Sequence, residues 1–280
     1  MRVLWFRKAV LAIVATSNIV FSVNAQAVTL PPAHGQFDYQ LGGEYTPLNQ
    51  VAVVVRDRRV TPVPGKYNIC YVNTFQTQPA DADWWKSNHP ELLVKKNGEY
   101  VTDPKWEDEY LMDTSTETKR SALIAIVGPW IDKCAADGFN AVEPDNLDSF
   151  ARSKGVLTEA SNKEFAKLLV NRAHSAKLAI AQKNTSSLVS IGASQIGFDF
   201  AIVEECQVFS ECDAYSGGYG NLVYEIEYND NDKDANGAPV DPISFFNAAC
   251  AARGKTSSII YRDRKVVPSS SPQYEYKWCK

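Results

Sequence analysis

Apolar positions along the chain gather into short, nearly continuous runs, separated by longer stretches with helical spacing. The runs lie at 37–42 (FDYQLG), 51–57 (VAVVVRD), 67–75 (YNICYVNTF), 139–146 (FNAVEPDN), 177–184 (KLAIAQKN), 198–206 (FDFAIVEEC), 222–229 (LVYEIEYN) and 257–264 (SSIIYRDR). They are rich in Val, Ile, Tyr and Phe, and their continuity suits strands buried on both faces. Between them, 117–136 sets Leu123, Ile126, Val127, Trp130 and Ile131 at helical spacing. Gly138 is placed to cap that helix, and Pro129 is expected to kink or break it. The stretch 158–176 offers Thr158 or Ser161 as N-cap and Phe165, Leu168 and Leu169 on one face. Shorter helices are expected at 186–196 and 242–253. Eight strands alternating with helices predict an α/β fold, a (β/α)8 TIM barrel in a single domain, with an open doubly wound sheet as the alternative.

One segment interrupts the alternation. After the third strand, residues 76 to about 115 carry Trp84, Trp85, His89, Tyr100, Trp106 and Tyr110. A long insertion at the C-terminal end of a barrel strand lies on the face where barrel enzymes keep their sites. Its aromatic side chains either stack on sugar rings or pack a small core of their own.

The N-terminus changes the picture of the compartment. Arg2, Arg7 and Lys8 precede a mostly apolar run from Ala9 to Val23, followed by VNAQA with small residues for cleavage after Ala25 or Ala27. This is the pattern of a secretory signal peptide over 1–25, leaving 26–280 as the mature catalytic domain. Cys70, Cys134, Cys206, Cys212, Cys250 and Cys279 form an even set in the mature region, as an oxidising compartment favours. Cys206 and Cys212 are the most readily paired, and the remaining connectivity stays open. With no CxxC and three scattered histidines, a zinc site is not expected. A net charge of −4 with no concentrated basic face argues against a nucleic-acid partner. The reading is a secreted, extracellular monomer with no membrane association once the signal is removed.

The chemistry is carried by acids at strand ends. The fourth strand ends in Glu143, Asp145 and Asn146, and the fifth in Lys183 and Asn184. The sixth ends in Glu204 and Glu205, and the seventh in Glu225, Glu227, Tyr228 and Asn229. In a barrel these ends converge on one mouth. Carboxylates crowded there shift one another's pKa values, so that a protonated acid and an ionised partner coexist. Alternation puts Glu143 and Asp145 on one face and Glu204 and Glu205 on opposite faces. Two carboxylates from different strands meet the requirement of glycoside hydrolysis, in which one protonates the leaving oxygen and the other attacks or activates water. A divalent-cation hydrolase of phosphoesters would use the same acids as ligands.

GFNAVEPDNLDSF resembles the G-x-x-G-V-E-P-D-N signature of glycoside hydrolase family 114, the endo-α-1,4-polygalactosaminidases. FDYQLGG, AQKN, VEEC and EIEYN resemble the family's other strand ends in order, over most of the mature chain. Val203 stands where the family usually has asparagine, and Asn73 where many relatives have a small or acidic residue. The resemblance implies a secreted barrel that cuts α-1,4-linked galactosamine polymers internally, with retention and without metal or other cofactor. It implies Asp145 as nucleophile and Glu204 as acid/base, with Glu205, where the family often has an amide, ranked second. Asp38, Tyr71, Glu143, Asn146, Lys183, Asn184, Glu205, Glu227 and Tyr228 are the expected substrate-contacting set. Glu143 is expected chiefly to support Asp145, and Lys183 to hold a neighbouring carboxylate ionised. Cationic amino sugars would be drawn to such a mouth. A non-catalytic carbohydrate-binding barrel, or a hydrolase of a different α-linked polysaccharide, remains the alternative. The NTS sequon at Asn184 is expected to go unused, because a glycan there would block the mouth.

Overall fold

The computed structural model describes residues 1, 28–234 and 236–279, so the expected signal peptide lies, Met1 apart, outside the described residues. No helix among the described residues is long and apolar enough to cross a membrane.

Each of the eight apolar runs forms a strand. They are β1 Phe37–Gln40, β2 Val53–Asp57, β3 Tyr67–Asn73 and β4 Ala141–Asp145. Next come β5 Ala179–Lys183, β6 Phe200–Glu204, β7 Val223–Tyr228 and β8 Ser258–Arg262. Consecutive strands pair in parallel, in chain order, which curls the sheet into a barrel. Alternate residues separate the two faces. Phe37, Tyr39, Val53, Val55, Ile69, Tyr71, Ala181, Ile202, Ile226 and Ile260 pack inside the barrel. Cys70, Val72, Val142, Ile180, Ala201 and Val223 pack outward against the helices. Burial on both faces is the physical reason the strands read as continuous apolar runs.

The seam between β8 and β1 is closed by an element the pattern did not suggest. A short strand, β9 Tyr276–Trp278, pairs antiparallel with β8, and the Tyr276 hydroxyl donates to the Phe37 carbonyl at 2.8 Å. Arg262 bridges the same seam, bonding Asp38 Oδ1 at 3.2 Å and the Tyr39 carbonyl. The loops above close in as well, with the Gly42 amide on the Val266 carbonyl at 3.2 Å. A Cβ on Gly42 would lie 2.2 Å from the Lys265 carbonyl oxygen, so glycine is required there.

The two long helices follow the sequence closely, with one correction. Glu117–Asp137 is capped by Thr116 at its start and by left-handed Gly138, φ 95°, at its end. It runs through Pro129 as one element instead of breaking. Pro129 removes one donor, but Leu123, Val127, Ile131 and Cys134 are buried along the helix and Cys134 is cross-linked to Cys70 of β3. That anchoring outweighs one lost hydrogen bond. Glu159–Ser175 begins with a capping box in which Thr158 and Ser161 exchange side-chain bonds, worth about 1 kcal/mol. The outer layer also holds the helices Ile243–Arg253 and Cys212–Tyr219, the second missed because it is short and rich in Gly and Tyr, and 186–196 forms three successive short helical turns instead of one helix. Cys206 pairs with Cys212 as expected, and Cys250 with Cys279.

The insertion after β3 contains the helix Ala82–Asn88 and a hairpin pairing Lys95–Lys96 with Glu99–Tyr100. Its aromatics differ in burial, and the buried one joins the main core, edge-on to the Trp130 ring at 6.1 Å. Trp85 is fully buried and packs with Leu92, Leu93 and Met112, whereas Trp84 and Trp106 are exposed.

Candidate active site

Three consecutive strands deliver the clustered acids and the lysine. Glu143 and Asp145 share the inward face of β4, as alternation requires, and Lys183 ends β5 while Glu204 ends β6. Each of these strands is followed by a residue with left-handed backbone: Asn146 at φ 68°, Asn184 at 47° and Glu205 at 61°. Asn tolerates that region, and Glu does so only under restraint. The Glu205 amide is held by the Ile226 carbonyl at 2.8 Å and its carboxylate by Arg264 at 2.6 Å. These turns stop the strands abruptly and leave the last side chains at the mouth.

Lys183 is the centre of the cluster. Its ammonium is fully enclosed and lies 2.8 Å from Glu143 Oε1, 3.2 Å from Glu204 Oε2 and 3.6 Å from Asp145 Oδ1. The Tyr39 hydroxyl accepts from it at 2.9 Å. Burial works against the charge on Lys183, but Asp145, Glu143 and Glu204 together outweigh it and raise the pKa well above the ordinary value. Because both lie within 3.6 Å of one nitrogen, Asp145 and Glu204 stand no more than about 7 Å apart at their nearest oxygens, a ceiling that admits the about 5–5.5 Å of retaining glycosidases.

The three acids differ in access. The Asp145 and Glu204 side chains are 18% and 24% exposed, whereas Glu143 is fully buried. Asp145 Oδ1 accepts the Asn146 amide at 2.7 Å, and Oδ2 the Tyr71 hydroxyl at 2.7 Å. Glu204 Oε2 accepts from Asn184 at 3.1 Å, and Oε1 accepts the Tyr228 hydroxyl. Burial opposes ionisation of Glu204, yet the Lys183 charge and the bonds from Tyr228 and Asn184 prevail and hold its carboxyl below the usual range. Glu143 takes the Tyr39 hydroxyl at 2.7 Å on Oε1, and its Oε2 has no partner among the described residues. Burial pushes its carboxyl up to about 7 despite Lys183. An enclosed, half-satisfied carboxyl of this kind orients Lys183 and cannot reach a ligand.

Of the expected substrate-contacting set, Tyr71, Glu143, Asn146, Lys183, Asn184 and Tyr228 converge with Asp145 and Glu204 in this network. Glu205 turns to the flank, where its partner Arg264 also lies over the Tyr228 ring at 4.0 Å. That flank opens into a cavity of about 450 Å³ whose lining includes Asn229, Arg264 and Tyr274. Two residues lie elsewhere. Asp38 alternates with inward-facing Tyr39, so it points outward, bonded to Tyr45 at 2.6 Å and to Arg262 in the seam. Glu227 likewise alternates with Ile226 and Tyr228 and points into the helix layer. There it accepts the Gln207 amide at 2.9 Å, and burial followed by the Glu225 charge pushes its carboxyl up to about 8.

The outer position of Glu227 forms the one grouping of metal-type ligands among the described residues: Cys206, Cys212, Glu225 and Glu227, within 4.8 Å of one another. The sulfurs are joined in a disulfide, and Arg253 fills the space, 2.9 Å from Glu225 Oε1 and 3.0 Å from Cys212 Sγ. This donor set does not fit a cation.

Sequence reasoning missed Tyr39, Gln76, Glu109 and Arg152, and noted Asn73 only as a departure. The signal for Tyr39 was present, one step of alternation from Asp38. Asn73 is the register partner of Asp145 and bonds Asn146 at 3.0 Å. Arg152 bonds Gln76 and Asn146, at 2.8 and 3.1 Å. Glu109 reaches the same corner from the insertion, which no periodicity announces.

A model of the family described as glycoside-hydrolase family GH114 matches residues 18–280. No curated protein matches the chain. Among solved structures, Aspergillus fumigatus Ega3 in complex with galactosamine is similar at a TM-score of 0.65 and 22% identity, covering 91% of this chain and 100% of that one. The glycoside hydrolase domain of PelA from Pseudomonas aeruginosa is similar at a TM-score of 0.54 and 14% identity, covering 84% of this chain and 96% of that one. At these identities the likeness is one of fold.

Proposed function

Since the chain belongs to glycoside-hydrolase family GH114 and is a glycoside hydrolase, we propose that it is a secreted, monomeric, endo-acting enzyme that cleaves α-1,4-linked galactosamine polymers with retention. The observation that carries this reading is the pair of accessible carboxylates, Asp145 and Glu204, gathered around the ammonium of Lys183. Asp145 is the nucleophile and Glu204 the acid/base. The likeness to a structure holding galactosamine supports the sugar, and an acid-rich mouth suits a cationic one.

In the first step a carboxylate oxygen of Asp145 bonds to the anomeric carbon as the glycosidic bond breaks, and Glu204 gives its proton to the departing oxygen. In the second, water loses a proton to Glu204 and attacks the same carbon, freeing Asp145. Tyr71 and the Asn146 amide steady the nucleophile, and Lys183 balances its charge. Glu204 rests ionised in the free protein. To act as the acid it must take up a proton against the hold of Lys183, Tyr228 and Asn184.

Reducing-end release from partly deacetylated α-1,4-galactosaminan tests the reading. Cleavage by the wild type, absent from folded Asp145→Asn and Glu204→Gln, with the α anomer appearing first by NMR, is expected. Binding without cleavage by the wild type points to a carbohydrate-binding barrel. Cleavage of another α-linked polymer alone moves the substrate. Full activity of Asp145→Asn sinks the mechanism.

A further inference from the structure

The insertion brings to the mouth a carboxylate that two-step hydrolysis does not use. The Glu109 amide donates to the Trp106 carbonyl at 2.8 Å, so one tight turn carries both the carboxylate and an exposed indole. Glu109 Oε2 accepts from Asn73 Nδ2 at 3.0 Å and Gln76 Nε2 at 3.2 Å, and no described group bonds Oε1. Asn73 is paired in register with Asp145, so Glu109 stands one residue away from that acid.

We propose that Trp106 and Glu109 form a sugar subsite on the Asp145 side of the mouth, the indole stacking on the ring and the carboxylate taking the free ammonium of a galactosamine unit. This rests on the galactosamine-polymer reading above. The charges around Glu109 favour a cation over a hydroxyl. Asp145 acts on it from β4 and Asp103 from its own loop, while Arg152, which bonds Gln76 beside it, is committed to Asp103 at 2.6 Å and to Asp148 at 2.8 Å. Lys183 is enclosed by its own three acids. Glu109 therefore has no ion-pair partner among the described residues. Burial, followed by the charge of Asp145, pushes its carboxyl up to about 7. A substrate ammonium between the two carboxylates satisfies Oε1 and relieves their repulsion, and acetylation of the amine removes both benefits. The exposed indole supplies the apolar platform that a sugar face needs.

The test compares galactosamine oligosaccharides with their N-acetylated counterparts, read by steady-state cleavage and by titration of tryptophan fluorescence. In Glu109→Gln, KM and Kd for the free-amine oligomer rise about tenfold, the loss of one charged hydrogen bond, with kcat within about twofold. Values for the acetylated oligomer stay unchanged, and Glu109→Asp recovers part of the loss. Trp106→Ala, at an exposed position that leaves the fold intact, weakens both oligomers. Equal behaviour of Glu109→Gln and wild type on the free amine, or an equal loss on both oligomers, overturns the subsite while leaving the wild-type activity to stand. A wild type that neither binds nor cleaves the free-amine oligomer removes the galactosamine reading, and this inference with it.

Discussion

The molecule contains two clusters in which acids crowd around one cation at the ends of barrel strands, and they have opposite fates. On the inner face Lys183 sits among Glu143, Asp145 and Glu204, and two of those acids reach solvent. On the outer face Arg253 sits with Glu225 and Glu227 beside the Cys206–Cys212 disulfide, under the helix layer, where both acids are buried. The ingredients are alike. What separates them is one residue of strand alternation: Tyr228 points into the mouth, and Glu227, beside it, points away. Acid content at a strand end does not make a reaction site. Facing an opening does.

The comparison is tested most severely by removing acids from each cluster. Asp145→Asn and Glu204→Gln are expected to lower kcat at least about 1,000-fold with the fold intact, whereas Glu227→Gln keeps activity within about twofold. A loss in Glu227→Gln as deep as in Asp145→Asn would falsify the division. The cations come next. Lys183→Met and Arg253→Met each leave buried carboxylates unpaired and are expected to destabilise by about 3 kcal/mol in urea melts. Only the first also abolishes turnover per folded molecule.

The effect of pH follows in size. Glu143 and Glu227 have carboxyls raised to about 7 and about 8, above an unfolded value of about 4.3. A raised carboxyl stabilises the fold fully below the unfolded value and loses that contribution as pH rises through the folded one. Melting temperature is therefore expected to fall between about pH 4.3 and 8. Glu227→Gln flattens the upper part of that slope and leaves the activity profile in place. The smallest effect is that of Tyr71→Phe, which removes one bond to Asp145 and should lower kcat about tenfold, while Tyr45→Phe, facing Asp38 outside the barrel, should not.

The eight strands were legible because burial on both faces writes an unbroken apolar run. That same property hid which face is which. In the run EIEYN, alternation separates Glu225 and Glu227 from Tyr224, Ile226 and Tyr228, but both sets are buried, so nothing in the segment marks the inward one. Asp38 and Tyr39 present the same ambiguity, and there the outward acid was chosen and the inward phenol passed over. At β4 and β6 the acids chosen, Asp145 and Glu204, face the mouth, since their strands end at left-handed turns that leave the terminal side chain outside the packed core. Glu109 was beyond reach of any pattern, because its place depends on how a segment without periodicity folds back over Asn73. Pro129 fails to end its helix for a related reason, since packing and a cross-link distant in sequence override a local breaker.

The Cys70–Cys134 bond joins positions 64 residues apart and so clasps the whole insertion at its base. Chain length inside such a clasp is thermodynamically cheap, with each doubling of a flexible loop adding only about 0.6 kcal/mol to its closure. The closure of this segment is thus nearly indifferent to its length. Residues could be added at its exposed turn beside Trp106, at little cost in closure, while Trp85 stays seated in the core. Length and anchorage are set by different parts of the segment, and a designer could extend the one without touching the other.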